Sequence, residues 1–121
     1  MASSVKFKLA IESSSVGTDR LDFLVQQNPL VQAPNVNLAR TSAPITPSST
    51  VILGATHVHA IVYVKNLDTT NKMYVENTAG HVVAEIGKGN FALLEIPANS
   101  GLEFVADTAP VEVEYGYWSK A

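Results

Sequence analysis

Cysteine is missing from the chain, which removes disulfides, thiolate metal sites and a cysteine nucleophile together. Charge is scarce as well. Asp, Glu, Lys and Arg make up 16% of the 121 residues, with a formal net charge of −3. Charge keeps a small domain soluble and unassociated, so this thin coat points to a protein packed against others. The eight Lys and Arg are scattered and outnumbered by eleven acids, which argues against nucleic acid, because phosphate binding needs a basic face. No apolar run approaches the ~18 residues of a membrane span, so no membrane partner is expected. The opening "MASSVKFKLAIESSS" interleaves lysines with apolar residues and lacks the continuous core of a secretory signal.

What is present reads as one β-rich domain over 1–121. The apolar fraction of 46% is that of a globular chain, and this length can bury a core without staples. Val5, Phe7, Leu9 and Ile11 alternate with Lys6, Lys8 and Ala10, as in a half-buried strand. In "RLDFLVQQ", residues 20–27, Leu21, Phe23 and Val25 give a strand period, although Thr18 or Asp19 could cap a short helix; the composition favours strand. From residue 50 onward, apolar runs such as "HVHAIVYVKN", "NFALLEIP" and "PVEVEYGYW" alternate with the turn signals "LDTTN", "NTAG", "GKGN", "PANSG" and "DTAP". This spacing predicts an antiparallel β-sandwich of about eight strands, with no internal repeat and no 3.6-residue period after residue 50.

Residues 28–50 stand apart, holding Pro29, Pro34, Pro44 and Pro47. Proline lacks the ladder N–H, so the segment is expected to be extended and irregular rather than a central strand. Its spaced apolar residues Leu30, Val31, Val36, Leu38 and Ile45 suggest a strap that contacts a neighbouring subunit or partner, with Asn35 and Asn37 as polar contacts at its rim; the alternative is a long connection laid over its own sandwich.

The candidates for chemistry are few. His57 and His59, two apart on an expected strand 57–65, would lie ~7 Å apart, close enough to share a metal. Alternation puts Val58, Ala60, Val62 and Val64 inward and the histidines on the mixed outer face with Ile61, Tyr63 and Lys65. The third ligand would have to be His81, which the same alternation sends to the opposite face. The cupin pattern fails too, since Gly54 is only three residues before His57 and Tyr63 and Val64 stand where a glutamate is needed. "GKG" at 87–89 lacks the rest of a phosphate loop and reads as a hairpin turn. Glu112 and Glu114 share one strand face rather than opposing each other across a cleft, and no G-x-S-x-G elbow is present. No catalytic residue, metal or cofactor is expected, and the chain is not expected to be an enzyme. The single tryptophan, Trp118, shares a polar face with Glu112 and Glu114, opposite Val111, Val113, Tyr115 and Tyr117. Such placement suits an interface or, with Tyr63 and Tyr74, a carbohydrate.

Two stretches, "IVYVKNLDTTNKMYVEN" and "EIGKGNFALLEIPANSGLEFVADTAPVEVEY", resemble the small, often jelly-roll, β-sandwich proteins of tailed-phage virions. The resemblance covers roughly residues 55–118 and rests on strand ends such as Lys65-Asn66-Leu67, on Ile96-Pro97, and on the closing strand pair. In size and layout the chain is most similar to capsid decoration, or cement, proteins. That resemblance implies a jelly-roll-like sandwich, a homotrimer, and the major capsid protein as partner. It also implies a place on the capsid exterior after assembly in the host cytoplasm. A tail, neck or fibre component, or a receptor-binding module, is the alternative.

Overall fold

The computed structural model describes residues 3–12 and 22–121, with the side chains of 22 and 23 outside that description. The alternative helix cap at Thr18 or Asp19 and the strand position Leu21 therefore lie outside the described residues. The described residues are all β, without a helix. The chain parts into two compact units, one running to Gln32 and including Ala121, the other Ala33–Lys120.

In the first unit, β1 (Ser3–Ser4) pairs antiparallel with the start of β4 (Leu30–Ala43), Ser3 opposite Val31. Strands β2 (Phe7–Glu12) and β3 (Asp22–Gln27) form an antiparallel ribbon from Phe7–Gln27 to Glu12–Asp22. The expected alternation holds for Val5, Phe7 and Ile11, half-buried beside the exposed Lys6 and Lys8, but Leu9, expected with them, is 38% exposed.

The second unit is built from the rest of β4 and from β5 (Thr50–Leu53), β6 (Ala60–Asn66), β7 (Met73–Glu76), β8 (Val82–Ile86), β9 (Phe91–Ile96), β10 (Leu102–Ala106) and β11 (Val111–Lys120). Its two sheets run in the orders β4-β11-β6-β9 and β5-β10-β7-β8. Only β7 and β8 are consecutive and paired; every other connection passes from one sheet to the other. Eight strands interleaved in this way make a jelly roll, as expected. The sheets close on each other because alternation gives each an apolar inner face. Ala43, Ala60, Val62, Val64, Ile96, Val111 and Val113 from one sheet meet Leu53, Met73, Val75, Ile86, Leu102, Phe104 and Ala106 from the other. Phe104, the largest fully buried side chain, meets the Tyr115 ring edge-on at 5.8 Å. Its burial contributes about 2–3 kcal/mol.

Two expectations are corrected here. Residues 30–43 are not an irregular strap but a strand, despite Pro34. From Ala33 onward β4 is the edge of its sheet, so a residue without an N–H forfeits no ladder bond on the open side. The turn at 87–90 is a turn, closed by the Asn90 N–H on the Gly87 carbonyl at 3.0 Å, but it joins different sheets and is not a hairpin. Hairpins and inter-sheet corners need the same turn residues, so composition does not separate them.

Candidate functional site: the outer face of the β4-β11-β6-β9 sheet

The register across this sheet fixes which side chains share its outer face. On β6, Ile61, Tyr63 and Lys65 face out; opposite them lie Trp118, Gly116 and Glu114 on β11, and Glu95, Leu93 and Phe91 on β9. Strand β4 runs antiparallel along β11, since Pro34 and Asn35 meet Ser119 while Arg40 meets Glu114. It approaches closely at Gly116. A Cβ there would stand 2.5 Å from the Asn37 carbonyl oxygen and 3.0 Å from that of Val36. Glycine is what lets the two backbones touch.

Polar side chains then fix β4 in place. The Trp118 indole N–H donates to Asn37 Oδ1 at 3.1 Å, and the Ser119 N–H donates to Asn35 Oδ1 at 3.3 Å. The Ser119 hydroxyl, buried with its residue, donates to the Pro34 carbonyl at 2.8 Å. Asn35 and Asn37, expected at a partner's rim, are thus engaged within the chain.

In the middle of the face the Tyr63 hydroxyl donates to Glu114 Oε1 at 3.0 Å, and Arg40 Nη2 lies 3.9 Å from Glu114 Oε2. Burial, and then the Glu114 carboxylate, push the Tyr63 phenol above its ordinary value. The Tyr63 and Phe91 rings sit 6.5 Å apart. Toward the far end, Glu95 Oε1 receives Lys120 Nζ at 3.0 Å, with His59 Nε2 at 3.8 Å. The Lys120 hydrogen bond, then its charge, hold the Glu95 carboxyl below the usual range, with His59 a lesser cause. Between these charged groups Phe91 is 57% exposed and Leu93 41%. Leu38, on the opposite edge strand β4, is 63% exposed. Exposed apolar side chains therefore stand at the two edges of the sheet, Leu38 on β4 and Phe91 and Leu93 on β9, with Glu114, Tyr63 and Lys65 between them.

The expected interface residues divide. The half-buried Trp118 lies on this face, and Leu38 is exposed on its edge strand β4. Val36 is half-buried, with its carbonyl over Gly116. Ile45 is exposed but bridges Ala106 of the other sheet, and Leu30, also exposed, belongs to the first unit. Val31 is fully buried rather than on the surface. Phe91 and Leu93 were not singled out in the sequence, because β9 is apolar at Ala92 and Leu94 too and its period does not say which face is open.

The histidines are placed differently from the expectation. Strand β6 starts at Ala60, so His57 and His59 precede it, and Val58, expected inside, is 45% exposed. His57 sits in a turn closed on Gly54; its Nε2 accepts the Gly101 N–H at 3.1 Å and its Nδ1 bonds the Val58 carbonyl. Both ring nitrogens are used, which fixes the tautomer. Ile61, placed on the mixed face, is only 1% exposed. His81 is exposed in the β7–β8 turn, and among the described residues no three metal-ligating side chains gather. Comparison with protein-family models, curated proteins and solved structures finds no match in any of the three.

Proposed function

We propose that the chain is a structural virion protein of the capsid decoration type. It binds the outer surface of a major capsid protein lattice as a homotrimer and stabilises the head without catalysis. The observation that carries the reading is the exposed apolar side chains at both edges of the β4-β11-β6-β9 sheet, Leu38 on β4 and Phe91 and Leu93 on β9, with the Arg40–Glu114 and Lys120–Glu95 pairs among them. These side chains are already about half covered, so burying the rest supplies roughly half of the ~1.5–3 kcal/mol of a fully exposed one each, and the charged pairs fix orientation. The low charge and the resemblance over roughly 55–118 point the same way.

Co-sedimentation with capsid shells lacking the protein tests the proposal. Leu38→Asp with Phe91→Asp is expected to abolish binding while circular dichroism keeps the β signature. If the double variant sediments with shells as the wild type does, this face is not the docking surface. Light scattering is expected to report about three times the 12.9 kDa chain mass. A monomer that stays monomeric on shells removes the trimer from the proposal.

A further inference from the structure

A second feature of the sandwich lies between the β6–β7 loop and the β8–β9 turn. There a cleft of about 440 Å³ is lined by Lys65, Asn66, Asp68, Thr69, Lys88 and neighbouring backbone. Its volume falls within the ~300–1,000 Å³ of small-ligand sites.

The cations of the second unit single it out. Arg40 pairs with Glu114, Lys72 with Glu85 at 2.9 Å, and Lys120 with Glu95. Among the described residues, Lys65 and Lys88 have no carboxylate within the 4.0 Å that defines those pairs. Both line this one cleft. In a chain with a net charge of −3, the two unneutralised ammonium groups share a single concavity.

The cleft is also held in shape before any ligand arrives. Asn66 is fully buried, and its Nδ2 donates to the Asn71 carbonyl at 2.9 Å and to the Ile86 carbonyl at 3.1 Å. Its Oδ1 accepts the Asp68 N–H at 2.8 Å, and its own N–H reaches the Asn90 carbonyl at 2.9 Å. One side chain therefore ties the loop on one wall to the turn on the other. Asp68 Oδ1 accepts the N–H groups of Thr70 at 2.7 Å and Asn71 at 2.9 Å, and Gly89 takes the left-handed backbone (φ 70°) that closes the turn. A preorganised cleft spends little binding energy on ordering itself.

The mixture of groups selects the ligand. The hydrogen bonds from Asn71 and then Thr70 keep the Asp68 carboxyl below its ordinary value, so it is ionised at neutral pH. A compact inorganic dianion would meet that negative charge. A molecule with one carboxylate and adjacent hydroxyls would not: its carboxylate suits the two ammonium groups, and its hydroxyls suit Asp68 and Thr69.

We infer that this cleft binds an acidic sugar, with Lys65 and Lys88 holding its carboxylate and Asp68 and Thr69 its hydroxyls. The site adjoins the docking face, because Lys65 stands between Glu114 and Phe91 there, but its occupancy does not depend on that reading. A repeated array of such sites would turn a weak single interaction into adhesion by avidity.

The test is titration of the isotope-labelled full chain with glucuronate, glucose or inorganic phosphate at fixed ionic strength, followed through backbone amide shifts. Glucuronate is expected to shift the amides of 67–69 and 88–90 saturably, glucose to leave them in place, and phosphate to bind more weakly than glucuronate. Lys65→Gln and Lys88→Gln are each expected to weaken glucuronate about fivefold to tenfold, with the remaining spectrum unchanged. Equal response to glucose, tighter binding of phosphate, shifts confined to other surfaces, or full affinity in both variants overturns the inference.

Discussion

Replacing Asn66 with alanine tests the account of the loop architecture at its narrowest point. The side chain is fully buried and makes three hydrogen bonds, to the Ile86 and Asn71 carbonyls and from the Asp68 N–H. The Ile86 carbonyl bond is buried, and leaving that group unpaired costs about 1–3 kcal/mol. The other two bonds are partly buried, so water recovers part of the loss and each costs about 0.5–1.5 kcal/mol. Together Asn66→Ala should cost about 2–6 kcal/mol, a large share of the roughly 5–15 kcal/mol that holds a domain folded. Urea denaturation followed by circular dichroism reads this directly, as a lower midpoint at unchanged slope. Asn66→Asp should be at least as damaging: its carboxylate still accepts the Asp68 N–H but, when ionised, donates to neither carbonyl. A loss below about 1 kcal/mol for Asn66→Ala would refute the reasoning, because it would mean that loop and turn hold together without this residue.

Much of the fold beyond residue 50 was legible, because alternation there has one dominant cause. Val62 and Val64 on β6 and Val111 and Val113 on β11 repeat every second residue, and the structure buries all four between the sheets. Tyr115 and Tyr117 continue that face and pack against the same core. Connectivity was less legible. Turn residues report that the chain reverses, not which sheet receives it, and within the second unit only the turn through Asn77–Gly80 joins consecutive paired strands. Strand β4 was hidden by a rule that holds for central strands, whereas Pro34 sits on an edge and contributes its carbonyl to Ser119.

The candidate face was half legible for a related reason. Trp118 beside Glu112 and Glu114 announced a mixed face, but its partner Asn37 lies 81 residues away, and no local pattern marks such a pair. Asn66 read only as a strand end. A buried, fully engaged amide is a tertiary fact, and the sequence shows it merely as a polar residue where alternation calls for an apolar one. His57 and His59 misled because the strand period was extended three residues too early; the turn at Gly54–His57 interrupts it.

Three further outcomes follow from the outer face. Trp118→Phe replaces the indole with a smaller phenyl and loses the N–H to Asn37, and should cost at least about 1 kcal/mol in chemical denaturation; an unchanged midpoint would mean that the bond contributes nothing net. The Glu95 carboxyl is held low chiefly by Lys120, so its stabilisation is present above the ordinary glutamate value and is lost as pH falls through its lowered folded value. Carboxyl-carbon NMR should show that low midpoint and its upward return in Lys120→Gln; equal midpoints in the two proteins would remove Lys120 as the cause. Gly116→Ala probes the β4–β11 contact itself. The added methyl would meet the Asn37 oxygen at 2.5 Å and the Val36 oxygen and Trp118 Cη2 at 3.0 Å. Two of these three atoms are β4 backbone, which cannot rotate aside as a side chain can, so the strand must move and the cost should be about 1–3 kcal/mol. Moving β4 also stretches the Trp118–Asn37 bond, so adding Trp118→Phe to Gly116→Ala should cost less than the sum of the two alone. Thermal melts of the four proteins in this cycle measure that coupling. If the costs add, or if Gly116→Ala melts with the wild type, β4 does not rest on β11 at Gly116.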